Sequence, residues 1–354
     1  EECRKGSICL IVSDVRMPGI SGTELLGMIH ELDPDIPVIL MTAFAEIETA
    51  IDAVRKGAFD FIMKPFKPEL LKHAIEKGIR FRNLLETEKR YLLMMEDKLR
   101  ESEENLRAAA MIQQNFLPTS PPQGTPFNFA WQFHPCEKVG GDLFNLFWLN
   151  EQHLGIYLLD VGGHGVPAAM VTTSVAQTLE HCRGWFCKRA GNERPLHSPF
   201  TPADVLATLN EKYPVERFGQ LLTICYLILD MKSGTILYSN AALPLPFIIR
   251  SDGRVERLSK GGIIIGADEN ATYENGNVIM QSGDRLFIYT DGITEYGNTN
   301  GKAYGEERLV TELKRSQGEA LQTACAAAIR HLLEFGDNRL SEDDITLLGV
   351  EFKP

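Results

Sequence analysis

Gly155-Ile156-Tyr157-Leu158-Leu159-Asp160-Val161-Gly162-Gly163-His164-Gly165 is an apolar run that closes on an acid, three glycines and a histidine. The apolar part predicts a buried strand from Gly155 to Val161. Asp160 then sits at the strand end, where a carboxylate projects from rigid scaffold into a cleft. The glycines beside it let backbone approach a ligand closely. Three more acidic sites share this setting: Gly140-Gly141-Asp142, Thr290-Asp291-Gly292 and Asp343-Asp344-Ile345-Thr346. One Asp-Gly pair by itself is most often a turn. Four such sites in one domain point instead to hard divalent cations, which take carboxylate and water ligands. Two ions roughly 3.5–4 Å apart can activate water against a phosphoester.

Outward from that strand, Leu221 to Asp230, Arg285 to Thr290 and Ile345 to Phe352 read as further strands, and Ser233-Gly234 and Asp252-Gly253 as hairpin turns. Pro167 to Leu179, Pro202 to Glu211, Glu306 to Leu313 and Glu319 to Leu333 read as helices, which predicts an α+β domain with antiparallel sheets. Residues 181–201 read as a polar loop, longer than most connections, carrying His181, Cys182, Cys187 and His197 at a spacing wider than zinc-finger patterns. Trp131, Trp148 and Trp185 read as packing residues, and no phosphate-binding GxxxxGK[ST] loop occurs.

Upstream, Pro118, Pro121, Pro122 and Pro126 end a stretch that from 69 to 117 holds almost no helix breaker. Leu85, Leu92, Leu99 and Leu106 recur every seven residues. Met95 and Ala109 follow two of them by three positions, and Glu88 and Ser102 interrupt that second stripe. This predicts a long helix with a coiled-coil seam and a homodimer, the alternative being one helix packed on its own domains. Before it, strand-like runs at Ile8 to Val12, Pro37 to Met41 and Phe59 to Met63 alternate with helical ones, starting near Ser21, carrying Ile47, Ile51 and Val54, and following Pro68. Such alternation predicts an open α/β parallel sheet, with Asp14, Thr42 and Lys64 converging on the edge where such sheets place their sites.

The 354 residues suit about two domains. A net charge of -12 without basic motifs argues against nucleic acid. No apolar run reaches the roughly 18 to 20 residues of a membrane helix, and no amino-terminal signal pattern occurs. Seven scattered cysteines, an odd number, argue against a disulfide framework and for a reducing cytoplasm.

These residues carry two resemblances. Asp14-Val15-Arg16-Met17-Pro18-Gly19, Thr42-Ala43 and Lys64-Pro65-Phe66 resemble the receiver domain of two-component response regulators. The resemblance implies that Asp14 accepts a phosphoryl group from a histidine kinase, that Thr42 contacts it, that Lys64 pairs with it and that Phe61 is the aromatic switch. A receiver's first strand, with the acidic pair that binds Mg²⁺, would precede residue 1. The expectation is therefore a fragment that binds Mg²⁺ when that portion is present, a degenerate receiver being the other reading.

Residues from about 111 to 352 resemble the bacterial metal-dependent serine/threonine phosphatases of the PP2C-like superfamily, in the SpoIIE-type branch that controls stress and sporulation sigma factors. The match runs through Ile112-Gln113 to Leu117-Pro118, Val139-Gly140-Gly141-Asp142, Asp160 to Gly165 with Pro167-Ala168-Ala169, Ser239-Asn240-Ala241, Thr290-Asp291-Gly292 and Asp343 to Thr346. It implies an antiparallel β-sandwich flanked by helices and two Mn²⁺ or Mg²⁺ ions. The implied ligands are Asp142, a bridging Asp160, the Val161 backbone carbonyl, Asp291 and Asp343, with Asp344 as the alternative to Asp343. Water would attack directly, with no phosphoenzyme. His164 would protonate the leaving oxygen, or else cap the glycine turn. The implied substrate is a phosphorylated STAS-type anti-sigma antagonist. Two positions depart from the family: Asn145 stands where a second Asp is usual, and Asn240-Ala241-Ala242-Leu243 replaces Asn-Ala-Gly-His.

The expected organisation is a receiver portion over 1–82, a helical coiled-coil linker over 83–117 and a phosphatase domain over 118–354. The rival is a phosphorylation-switched binding protein with an inactive phosphatase fold. A DNA-binding regulator has no output motif in its favour.

Overall fold

The computed structural model describes residues 8–43, 51–52, 54–163, 165–188 and 200–353. They fall into two compact units, divided between Glu103 and Glu104.

In the first unit, β1 (Ile11–Asp14), β2 (Val38–Ala43) and β3 (Asp60–Lys64) form a parallel sheet in that order. Strand β1 begins three residues later than its apolar run suggested, so Asp14 is its last residue rather than a residue beyond it. Helix α1 (Gly22–Leu32) starts where Ser21 and Glu24 form a reciprocal capping box. Its Leu26 and Ile29 bury against Val38 and Leu40. Most of the helix expected around Ile47 lies outside the described residues.

Helix α2 (Pro68–Gln114) is continuous for 47 residues and crosses from one unit into the other. Its first turns bury Ala74 against Ile39 and Ile62. Arg82 holds both carboxylate oxygens of Asp33, at 3.2 and 2.9 Å. Tyr91, Leu92, Leu93, Met94, Met95 and Leu99 are exposed.

The second unit is two sheets between helices. One has the order β10 (Val255–Arg257), β9 (Phe247–Ile249), β13 (Arg285–Tyr289), β14 (Ile345–Phe352), β4 (Phe127–His134). The other runs β11 (Gly261–Gly262), β8 (Thr235–Ala241), β7 (Leu222–Asp230), β6 (His153–Val161), β5 (Leu143–Trp148), with β12 (Gly276–Ile279) also on β8. All pairs are antiparallel except β11 with β8. Strand β7 is apolar from Ile224 to Leu229 because both faces are covered there. Cys225, Leu227 and Leu229 point into the core between the sheets. Leu222, Ile224, Tyr226 and Ile228 point to the outer core under α3 (Val166–Lys188) and α4 (Pro202–Lys212). The other outer face packs under α7 (Glu306–Arg315) and α8 (Leu321–Phe335), with short helices α5 (Val215–Phe218) and α6 (Asp291–Thr294) at loop positions. This is the expected multidomain arrangement of parallel α/β sheet, long helix and helix-flanked antiparallel sandwich.

One expectation needs correction. Residues 181–188, read as the start of a polar loop, continue α3 to Lys188. The segment contains no proline, and the single Gly184 is tolerated in a helix at about 1 kcal/mol. The side chains of 181–188 and all of 189–199, hence the set His181, Cys182, Cys187 and His197, lie outside the described residues. Among the described residues, Cys9, Cys136, Cys225 and Cys325 form no disulfide, and no helix is long and apolar enough to cross a membrane.

Candidate active site

Four loops bring Asp142, Asp160, Asp291, Asp343 and Asp344 to one end of the two sheets. Asp160 is the last residue but one of β6, and Asp291 opens α6 one residue after β13. Asp343 and Asp344 precede β14, while Asp142 precedes β5. Glycines allow the loops to close. A Cβ on Gly140 would lie 2.0 Å from Asp344 Oδ2, and one on Gly292 would lie 2.0 Å from the Asp344 carbonyl oxygen. A Cβ on Gly141 would lie 2.5 Å from the Val161 carbonyl oxygen. These are backbone approaches that only glycine permits.

The carboxylates feel one another. Burial, then the charges of Asp291, Asp343 and Asp344, push the Asp160 carboxyl up to about 7. Burial, then Asp160 and Asp344, hold Asp142 well above the usual carboxylate range. Asp343 is raised too, by burial first and then Asp291, Asp344 and Glu295. Their hydrogen bonds divide them into two kinds. Asp142 Oδ2 accepts from the Thr290 hydroxyl at 2.8 Å and from the Thr346 hydroxyl. Both oxygens of Asp344 accept backbone N–H groups, from Cys136 at 2.8 Å and Asp142 at 3.1 Å. By contrast, Asp291 Oδ1 is buried with no hydrogen-bond partner among the described residues. Among the described residues, no three His, Cys, Asp or Glu side chains form a ready-made chelate. The donor set nevertheless fits hard cations: all oxygen, buried, mutually repelling and one atom unsatisfied. Beside it, a cavity of about 360 Å³ is lined by Gly292, Glu295, Tyr296, Arg339, Ser341 and Asp343, among others. His164 lies outside the described residues.

In the first unit, Asp14 and Lys64 end β1 and β3 and form an ion pair, Lys64 Nζ to Asp14 Oδ2. Thr42, near the end of β2 between them, is fully buried and donates to the Ala43 carbonyl at 3.2 Å. Phe61 sits beside Leu40 in the strand pairing and packs half-buried on the same core as Leu26.

The family described as stage II sporulation protein E (SpoIIE) matches residues 150–353, more than half of the chain. The chain belongs to the SpoIIE family. The response regulator receiver domain family matches residues 1–76. Protein IcfG of Synechocystis is 28% identical over 266 residues, covering 69% of this chain and 41% of that protein. The C4-dicarboxylate transport regulator DctD of Pseudomonas aeruginosa is 45% identical over 76 residues, covering 22% of this chain and 16% of its own. This chain therefore spans less than half the length of either relative. Among solved structures, the SiaA-PP2C domain of P. aeruginosa overlays with a TM-score of 0.61 at 21% identity, covering 72% of this chain and 98% of that one. The RsbU and RsbW domains of Rv1364c from Mycobacterium tuberculosis give 0.53 at 21%, covering 66% and 61%. The fold of the second unit is thus that of PP2C-type phosphatases, joined here to a receiver.

The SpoIIE-family domain absorbs its two departures structurally. Leu243, where histidine is usual, is buried in the inter-sheet core, and Asn240 Nδ2 donates to its carbonyl at 2.7 Å. Ala242 takes the place of glycine and keeps a left-handed backbone, with φ of 58°. Asn145 Oδ1 accepts from the next residue's N–H at 2.7 Å. Sequence reasoning missed Glu295, which adds charge beside Asp343, and the hydroxyls of Thr290 and Thr346. Both threonines belong to the acidic motifs at strand ends, but nothing in the sequence says which acid they hold.

Proposed function

We propose that this chain is a response regulator whose output is metal-dependent hydrolysis of phosphoserine or phosphothreonine on a partner protein. The observation that carries this reading is the convergence of five aspartates whose mutual repulsion and burial push Asp160 up to about 7. Such a cluster opposes folding unless cations or protons neutralise it. Two Mn²⁺ or Mg²⁺ ions bound there would polarise the phosphoryl group and lower the pKa of water.

This chain's residues then have distinct tasks. Asp160, Asp291 and Asp343, with the Val161 carbonyl, would hold the ions, Asp160 bridging them. Asp142 would ligate through the face its threonine hydroxyls leave open. Asp344, with both oxygens given to backbone N–H groups, is read as a loop tie rather than a ligand, which favours Asp343 in the acidic pair. The cavity lined by Arg339 and Glu295 is the place for the phosphopeptide. His164 remains a proposed proton donor to the leaving oxygen. We retain the division 1–82, 83–117 and 118–354 for receiver portion, linker and phosphatase.

Control would come from a histidine kinase through Asp14, with Thr42, Lys64 and Phe61 reading its state. The heptad face of α2, with Leu92 and Leu99 exposed and Leu85 and Leu106 half-buried, would pair with a second copy. The substrate we favour is a STAS-type anti-sigma antagonist carrying phosphoserine. The test is phosphate release from a phosphoserine protein, comparing the wild type with Asp160→Ala, with and without Mn²⁺. Release that requires both the metal and Asp160 is expected. No release from the wild type would favour the phosphorylation-switched binding protein instead.

A further inference from the structure

The last turn of α2 reverses the usual order of burial. Met111 and Ile112 are 63% and 60% exposed, whereas the polar Gln113 beside them is only 7% exposed. Its side-chain amide meets the peptide of Gly140 on both sides. Gln113 Nε2 donates to the Gly140 carbonyl at 2.7 Å, and Gln113 Oε1 accepts from the Gly140 N–H at 3.2 Å. Only this orientation of the amide satisfies both bonds. The clamped peptide is not free to drift, because Asp344 Oδ2 occupies the space where a Gly140 Cβ would lie. The next peptide is fixed as well: the Gly141 carbonyl accepts from the Thr172 hydroxyl at 2.8 Å and from Val161 N–H at 3.3 Å. Asp142 follows, its N–H on Asp344.

We infer that Gln113 is a positioning residue that ties the register of helix α2 to the loop carrying Asp142. A helix cannot rotate or slide at its last turn and keep a two-point amide contact, since a rotation of one residue swings a side chain by about 100°. Motion of α2 therefore releases Gly140 and with it the Asp142 to Asp344 contact. The inference rests on the proposed function for its consequence, metal affinity, but its geometry stands on hydrogen bonds alone.

The test uses the full chain. Gln113→Met keeps the length and loses both hydrogen bonds. Gln113→Asn keeps the amide but is one methylene short, and carries the comparison if the first variant does not fold. Amide hydrogen exchange is followed in peptides covering Val139 to Asp142, together with Mn²⁺ binding by calorimetry. We expect about tenfold faster exchange in that loop, with β7 and β14 unchanged, and about tenfold weaker Mn²⁺ binding. The maximal rate at saturating Mn²⁺ should fall less than threefold. Wild-type exchange and affinity in a folded variant would overturn the inference, as would faster exchange spread over the whole domain. If the wild type binds no Mn²⁺, the metal reading fails separately and the exchange result still decides the role of Gln113.

Discussion

Burial and three neighbouring carboxylates push Asp160 up to about 7, against roughly 4 in an unfolded chain. An acid whose folded pKa lies above its unfolded one lends stability that is complete below pH ~4 and is lost as pH rises through about 7. Acids held low, such as Asp33 beside Arg82, act in the opposite sense and at more acid pH. Metal-free protein is therefore expected to lose thermal stability between pH 5 and 7.5, and Asp160→Asn to flatten that slope. Calorimetric melting in chelator across this window checks it, and identical slopes in both proteins would refute it. Ala242 offers a second test. It is exposed, with φ of 58°, a conformation that costs a non-glycine residue about 1–2 kcal/mol. Ala242→Gly should raise stability by about 1 kcal/mol after glycine's greater unfolded-state entropy, read as a higher urea midpoint.

Helix α2 is held at both ends by contacts within each unit, through Arg82 with Asp33 and through Gln113 with Gly140. Between them Leu92, Met95 and Leu99 meet water along one face. The seam proposed for this helix predicts that Leu92→Asp with Leu99→Asp abolishes self-association while each unit, whose core lies elsewhere, stays folded. Light scattering reads the mass and circular dichroism the fold; an unchanged mass would remove the seam. The elements were legible in the sequence because their periods are strong. Apolar runs marked strands buried on both faces, the heptad marked α2, and glycine beside aspartate marked the site loops. What could not be read were contacts between distant segments. Gln113 and Gly140 are 27 positions apart, and Thr346 and Asp142 are 204 apart. Asp343 and Asp344 look alike as neighbours; their burial and their amide partners distinguish them.

For the molecule as a whole, the proposed control requires the state of the receiver to change the rate of hydrolysis in the other unit. Asp14 already has a partner in Lys64, so a phosphoryl group on Asp14 must recruit that ammonium, exchanging one charge-assisted contact for another. The energy available is a few kcal/mol at most, typical of coupling between sites. That suffices to shift α2 between registers if the Gln113 clamp closes in only one of them. Acetyl phosphate with Mg²⁺ should therefore change phosphate release about fivefold or more, in either direction, in a protein that carries the receiver's Mg²⁺-binding acidic pair. Asp14→Asn should abolish the change while leaving the Mn²⁺-dependent rate intact, because Asp14 belongs to the other unit. The Gln113→Met variant should also be unresponsive, but at a single weakened metal affinity. A protein that carries the acidic pair and hydrolyses the phosphosubstrate, yet ignores acetyl phosphate, would detach the receiver from control of the phosphatase. An Asp14→Asn protein that responds like the wild type would do so as well.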